Sequence, residues 1–328
     1  MPSPRLAIPA SLFSIPFGLA GLTGVWHLAA TWLSAPRIVP FALLVTTLAV
    51  WALVLGLYIR RLVARHSTVT AELNHPVTAP FLALIPVTLL VLVPVTAASS
   101  ETAARLVTWV GLAGALVLGA WLTGRWLSQG VPDVCLHSGY YLPTVAAGLI
   151  SANALATLGY RDAAIMAFGL GAICWLLLGS VIINRNFVVT GLAPPLIPTM
   201  AIDVAPVVVA GSAWFVISDS VPDNGQLALA GFALLMVGVQ FRLIPVYRRL
   251  SFSASFWAFT FSYCAVAAYG LRWLETTDGT WATAASWLLV AAASLLVGTI
   301  AVRSIGALRN GQFLPVEGGA VPAAGPAT

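Results

Sequence analysis

Charge is the property that this sequence has least of. Charged residues make up 8% of its 328 residues and hydrophobic residues 60%, whereas about a quarter of the residues in a soluble domain are charged. All fifteen cationic residues are arginine, so lysine is absent. A chain with so few charges cannot cover a surface that faces water. We therefore predict an integral membrane protein.

Residues that could hold a metal ion or carry catalysis are also scarce. The three cysteines form no CxxC pair and no His/Cys cluster with metal spacing, so we expect free thiols and no metal. Paired carboxylates, a Gly-rich phosphate loop and HExxH are missing, which indicates that the protein is not an enzyme and needs no cofactor. The arginines are scattered in short loops, a pattern that argues against a nucleic-acid partner.

Long apolar runs are what the sequence has instead, and each can cross about 30 Å of hydrocarbon. They lie near residues 10 to 33, 38 to 59, 78 to 98, 103 to 127, 140 to 159, 163 to 183, 198 to 218, 226 to 247, 252 to 272 and 281 to 306. We predict an all-α domain of ten transmembrane helices over residues 1–313. Residues 314–328, rich in Pro, Gly and Ala, are predicted to be a short disordered cytoplasmic tail.

Arginine is distributed unevenly between alternate loops. Eleven arginines fall at the termini and in every second loop: Arg5, Arg60, Arg61, Arg65, Arg125, Arg185, Arg242, Arg248, Arg249, Arg303 and Arg309. Four fall on the other side: Arg37, Arg105, Arg161 and Arg272. By the positive-inside rule, both termini are predicted to be cytoplasmic, in the inner membrane.

Four prolines lie inside the apolar runs of the first, third, fifth and seventh helices: Pro16, Pro86, Pro143 and Pro206. Each removes a helical hydrogen bond, and in lipid the freed carbonyl survives only against protein or a water-filled cavity. The series therefore favours kinked odd-numbered helices around a pathway, although proline is in any case more common in membrane helices. A further step of similar length ends near Phe261, in a helix without proline.

Small residues recur on two helices. Gly18, Gly21 and Gly24 follow one another every third residue, and Ala115 and Gly119 form a small-xxx-small pair. Such residues let helix backbones approach closely. We favour tight helix packing over direct contact with a transported solute.

Few ionisable groups lie within the predicted helices, and intramembrane charges are usually functional. We expect Arg242 to reach the cytoplasmic interface as a mouth group, Asp203 to lie near a helix start, and His27 to lie near the outer end of the first helix. The polar candidates near the prolines are neutral: Ser11, Ser14, Thr88, Thr144, Ser212, Thr260, Ser262, Tyr140 and Tyr141. Such hydroxyls suit a path for weakly bound anions, or they bond to carbonyls in their own helices.

Six segments occur in an order that resembles one family. They are SIPFGLAGL (14–22), HPVTAPFLALIP (75–86), GYYLPTVAAGLISANALATLGY (139–160), FRLIP (241–245), FWAFTF (256–261) and GQF (311–313). Together they resemble the tellurite-resistance/dicarboxylate transporter family, which includes bacterial TehA and the slow anion channels of plant guard cells. The resemblance implies five helical hairpins around a central pore, with odd helices inside, and a homotrimer with one pore per subunit.

The resemblance also implies a gate. The family closes its pore with a phenylalanine on the ninth helix, which corresponds here to Phe261 in the run Trp257 to Phe261. Phe259 is the competing candidate, but it points about 200° away around the helix. Plant members carry a proline after the gate and long ends open to phosphorylation; here Ser262 follows and the ends are short, so activation by kinases is not expected.

Three functions remain open at this point. The leading hypothesis is a passive channel for small inorganic or organic anions, obstructed by Phe261. The second is a proton-coupled carrier of malate-like dicarboxylates or tellurite, which needs a titratable group such as His27, Asp203 or Arg242. The third is a subunit that transports nothing, although the sequence offers no soluble domain for such a role.

Overall fold

The computed structural model describes residues 8–64, 68–189, 191–219, 221–277 and 279–314, and every regular element in these ranges is helical. The all-α prediction is confirmed. The ten spanning segments are α1 (Ala10–Trp32), α2 (Ile38–Ala64), α3 (Ala79–Ala97), α4 (Glu101–Gln129), α5 (138–157), α6 (Arg161–Val188), α7 (Pro194–Ile217), α8 (Asn224–Tyr247), α9 (Ala254–Glu275) and α10 (Thr280–Arg309). Beyond Leu314, the predicted tail lies outside the described residues.

The fifth segment is the least regular of the ten. It consists of a 3₁₀ turn (Ser138–Tyr141), a π-helical turn (Leu142–Ala146) and an α-helix (Ala147–Thr157). Pro143 lies in the π turn, where its missing N–H would otherwise break the regular ladder. The other nine segments are each long and apolar enough, within the described ranges, to cross a membrane.

Odd and even helices differ in burial. In the most apolar stretch of α1, α3, α7 and α9, between 50% and 78% of the residues are buried, against 11% to 28% in the even helices. The even helices instead expose large apolar side chains, among them Leu53, Val117, Leu176, Leu234 and Leu295. Apolar surface of this extent requires a nonaqueous neighbour. Lipid is that neighbour for a multi-pass membrane protein.

The odd helices form a closed inner ring. In order around the ring, α1 contacts α3, α3 contacts α5, α5 contacts α7, α7 contacts α9, and α9 contacts α1. Each odd helix also packs against the even helix that follows it in the chain, so the chain forms five helical hairpins. The ring therefore encloses the axis of the domain, and the even helices surround it.

The four prolines lie where the odd helices change pitch. A 3₁₀ turn opens α1, α3 and α7, and the α-helical part then starts at Ser14, Leu84 and Ala205, one or two residues before the proline. The carbonyl of Ile202, which Pro206 cannot bond, accepts from the N–H of Ala205 instead. The tighter turn thus satisfies this carbonyl within its own helix, whereas the sequence argument assigned such groups to a cavity or a neighbour.

Two glycines bring α1 against α9. A Cβ atom on Gly18 would lie 1.9 Å from Oγ1 of Thr260, and one on Gly21 would lie 3.2 Å from the ring of Phe261. A Cβ on Gly24 would meet nothing within 4 Å. Helix packing therefore accounts for the first two glycines, and the third borders open space.

Candidate pore

The inner ring encloses two cavities that lie end to end. The first cavity, of about 40 Å³, lies toward the end of the bundle where α1 begins and is bordered by residues such as Ser14, Tyr141 and Pro206. The second cavity, of about 100 Å³, lies toward the opposite end and is bordered by residues such as His27 and Arg272. The described residues that line both cavities come from α1, α3, α5, α7 and α9 alone.

Phe261 stands between the two cavities. Phe261 and Val209 are the described residues that line both. The Phe261 ring stacks on Phe17 of α1, with ring centroids 3.8 Å apart and planes inclined by 22°. An aromatic pair thus lies where the linings of the two cavities adjoin.

Phe259, the competing aromatic residue, lies elsewhere. It is 6% exposed and packs against the rings of Tyr247, Phe256 and Tyr263, away from both cavities. The 200° separation expected from helical geometry accounts for the opposite surroundings of Phe259 and Phe261.

The start of α9 is held from both sides. On one side Gly18 and Gly21 allow its backbone to pack closely against α1. On the other side the indole N–H of Trp257 donates to Oγ of Ser304 on α10, at 2.9 Å. Buried hydrogen bonds of this kind fix orientation as well as position. The Phe261 side chain is therefore carried on a tightly located backbone.

Two buried glutamines on α8 connect α7 with α9. Nε2 of Gln240 donates to the carbonyl of Met200 at 3.1 Å, and its Oε1 accepts from the hydroxyls of Tyr247 and Tyr263. Nε2 of Gln226 donates to the carbonyl of Gly211 at 2.9 Å, and its Oε1 accepts from Tyr269. Gln240 and Gln226 are fourteen residues apart, about four helical turns, so both face the inner ring.

The predicted hydroxyl groups bond mainly within their own helices. Ser14 and Ser262 line the first cavity, but they donate to the carbonyls of Ser11 and Ala258. Thr88 and Thr260 donate to carbonyls three or four residues back and line neither cavity. This is the arrangement expected of hydroxyls that satisfy themselves locally.

Three further predicted groups lie away from both cavities. Oγ1 of Thr144 is buried without a partner among the described residues, on a side chain that faces Gly119 of α4. Arg242 is exposed on α8. Asp203 lies in the 3₁₀ opening of α7, where its buried carboxylate faces the side chain of Ser138. None of the three lines either of these two cavities.

Among the predicted prolines, Pro206 alone borders a described cavity. Pro86 lies against Gly111 and Gly114 of α4, and the carbonyl of Pro143 faces Gly119 of the same helix. Pro16 is buried in α1. Pro86 and Pro143 therefore change the pitch of inner helices while they face the outer layer.

Sequence reasoning missed polar residues of the second cavity. Asn153 and Arg272 border it together with His27 and Ser212, whereas the arginine pattern of the sequence identifies Arg272 only as a loop cation. The spacing in the sequence could have shown that Arg272 lies on the same side of α9 as Phe261. The two residues are eleven positions apart, which is close to three helical turns. The two side chains therefore share a face of α9.

A buried histidine fixes the loop at the mouth of the first cavity. Nδ1 of His137 accepts from the N–H of Gly139, Nε2 contacts the carbonyl of Val77 at 3.1 Å, and the ring stacks on Phe81, which lines the cavity. Burial lowers the pKa of His137 to about 4. The neutral ring is therefore part of this end of the bundle at physiological pH.

Comparisons with known proteins identify the family of this chain. Residues 7–305 match the model of the voltage-dependent anion channel family. The chain is also 29% identical over 307 residues to a protein of Haemophilus influenzae named as a tellurite resistance protein TehA homolog, a match that covers 93% of this chain and 92% of the relative. The resemblance seen in the six sequence segments is confirmed. The chain belongs to the voltage-dependent anion channel family.

Proposed function

We propose that this protein is an anion-selective channel of the cytoplasmic membrane whose bore is obstructed by the side chain of Phe261. One observation carries the proposal: Phe261 borders both cavities and stacks on Phe17 across the axis between them. A bulky apolar ring at this point interrupts the water that an ion needs. Rotation of one side chain would connect the two cavities.

The walls of the cavities support selectivity for anions. No carboxylate lines either cavity among the described residues, whereas Arg272 and His27 border the second. The first cavity is mostly apolar and its serines are already bonded, so it offers an anion only weak contacts. Conduction requires binding that is favourable enough to admit an ion and weak enough to release it.

The test is anion flux through purified protein in proteoliposomes. Phe261→Ala removes the obstructing ring, and we expect flux of chloride or nitrate to rise by about tenfold or more, as for a barrier lowered by about 1.4 kcal/mol. The matched control is Phe259→Ala, which removes a ring of the same size that borders neither cavity. Unchanged flux in a folded Phe261→Ala protein would show that the gate assignment is wrong.

A proton-coupled carrier of dicarboxylates or tellurite is the second candidate. It is favoured by the presence of His27 in the wall of the second cavity and by the name of the relative, which refers to tellurite resistance. A coupled carrier would accumulate malate against its gradient when a pH gradient is applied, and His27→Gln would abolish that accumulation. Anion flux that follows the electrochemical gradient alone would exclude coupling.

We also propose that both termini are cytoplasmic and that three chains assemble, each with its own bore. The arginine distribution supports the orientation, because Arg60, Arg125, Arg185 and Arg303 all lie toward the end of the bundle where α1 begins. Reporter fusions at the C-terminus test the orientation. Native mass measurement in detergent tests the trimer, and a monomeric mass would contradict it.

A further inference from the structure

Four polar side chains line the second cavity. They belong to four different helices: His27 to α1, Asn153 to α5, Ser212 to α7 and Arg272 to α9. In the described part of the chain, none of these four side chains forms a hydrogen bond with another group. Polar groups within a protein normally have partners, so four together without any indicate a ligand.

Arg272 is the strongest of the four groups. The ion pairs of the described residues join Arg61 with Glu72, Arg105 with Glu101, and Arg161 with Asp219, and none involves Arg272. Its guanidinium carbon lies 5.6 Å from the centroid of the Trp32 ring. A cation–π contact of this kind provides no hydrogen-bond acceptor, so it leaves the N–H donors of Arg272 unbonded.

The position of Arg272 at the end of α9 explains why a cation is tolerated there, but it does not explain which groups accept hydrogen bonds from the guanidinium. It lies in the last turn, where the helix dipole favours positive charge. The dipole provides no acceptor for five N–H groups, and the side chain is half-buried, so bulk water supplies only part of their hydration. An anion in the adjoining cavity would supply both the acceptors and the opposite charge.

Size and donor geometry define the class of ligand. The cavity of about 100 Å³ equals the space of about three water molecules in the liquid, enough for one small anion. Two oxygens of a planar oxyanion match the two parallel N–H groups of a guanidinium. Ser212 adds a hydroxyl donor, and Asn153 adds its amide NH₂ group, because Oδ1 is the buried atom of that side chain.

We infer that the second cavity is a binding site for a small planar oxyanion, with Arg272 as its main contact and with His27, Asn153 and Ser212 as further donors. The role of the site rests on the proposed function, in which the site supplies anions to the bore beside Phe261. Binding itself does not depend on conduction. The two ideas can therefore fail separately.

The experiment measures thermal stabilisation of the purified full chain in detergent by nitrate and by chloride. We expect nitrate to raise the midpoint of unfolding more than chloride does, and Arg272→Gln to raise the half-saturating nitrate concentration by about tenfold, the effect of losing one charge-assisted contact. Arg272→Lys keeps the charge without the fork, so it should lose the preference for nitrate. Arg161→Gln is the control, because Arg161 is exposed at the same end and pairs with Asp219.

Two further variants keep the test independent of Arg272. Asn153→Leu and Ser212→Ala retain the guanidinium and should each weaken nitrate binding about threefold. Equal nitrate binding by wild type, Arg272→Gln and these two variants would overturn the inference. This outcome is also the one expected if Arg272 contacts a lipid phosphate and not an anion in the cavity. Binding that depends on Arg272 in a protein that passes no anion would support the site and contradict the channel.

Discussion

The two cavities on either side of Phe261 are built from the same five helices, yet their walls differ in kind. The serines of the first cavity bond within their own helices, and its other walls are mainly apolar. The second cavity presents His27 and Arg272 with no hydrogen-bonded partner among the described residues. The first is suited to rapid passage and the second to capture, because only unsatisfied donors gain from an anion.

The largest effect is expected where α1 and α9 touch. Gly18→Ala would put a Cβ atom 1.9 Å from Oγ1 of the buried Thr260, so α9 has to move, and we expect a loss of about 3 kcal/mol or more in stability. Gly24→Ala is the matched control, since its Cβ would face the second cavity with nothing within 4 Å. Thermal unfolding of both variants tests this contrast, and equal midpoints would contradict it.

The next largest effect is a loss of stability in acid at the end of the bundle that holds the first cavity. The pKa of His137 is about 4 in the folded protein and about 6.5 in the unfolded chain. The unfolded chain therefore binds the extra proton first as pH falls. Stability is intact above pH 6.5, decreases by about 2 kcal/mol at pH 5, and stops decreasing below about pH 4.

Hydrogen exchange at pH 7 and pH 5 measures this difference by region. After correction for the slower intrinsic exchange at pH 5, amides within residues 77–83, which pack against His137, should be less protected at pH 5, whereas the protection of amides near Arg272 should change less. His137→Gln should remove the pH dependence. An equal loss of protection in both regions would show that another group titrates.

A smaller effect should separate the two glutamines of α8. Gln240→Leu leaves the carbonyl of Met200 and the hydroxyls of Tyr247 and Tyr263 without their partner. Gln226→Leu affects fewer groups, the carbonyl of Gly211 and one tyrosine. We expect a loss of about 2 kcal/mol for the first variant and about 1 kcal/mol for the second. The reverse order in thermal unfolding would show that counting partners is a poor guide here.

The smallest effect sharpens the comparison of the cavities directly. Ser14→Ala and Ser262→Ala remove hydroxyls that already bond to their own helices, so anion flux should change by less than about twofold, which corresponds to less than 0.5 kcal/mol. Flux is measured in proteoliposomes next to Ser212→Ala. A larger change at either first-cavity serine than at Ser212 would contradict the proposed division of roles.

Prediction from the sequence succeeded where the pattern is long and local. Apolar runs of about twenty residues located all ten helices within a few residues, because the thickness of hydrocarbon fixes their length. The prolines correctly marked the odd helices as different. They did not indicate which way each proline faces in the bundle. Pro86 and Pro143 face glycines of α4, and such orientation depends on which helices become neighbours.

The sequence by itself determined a ten-helix membrane protein and, through its resemblance to a family, directed attention to Phe261. Only the tertiary structure decided that Phe261 borders two cavities while Phe259 packs outside them. It also brought His27 and Arg272, 245 positions apart in the chain, to one cavity. Hydropathy acts within each segment, whereas a cavity exists only after separate helices have closed into a ring.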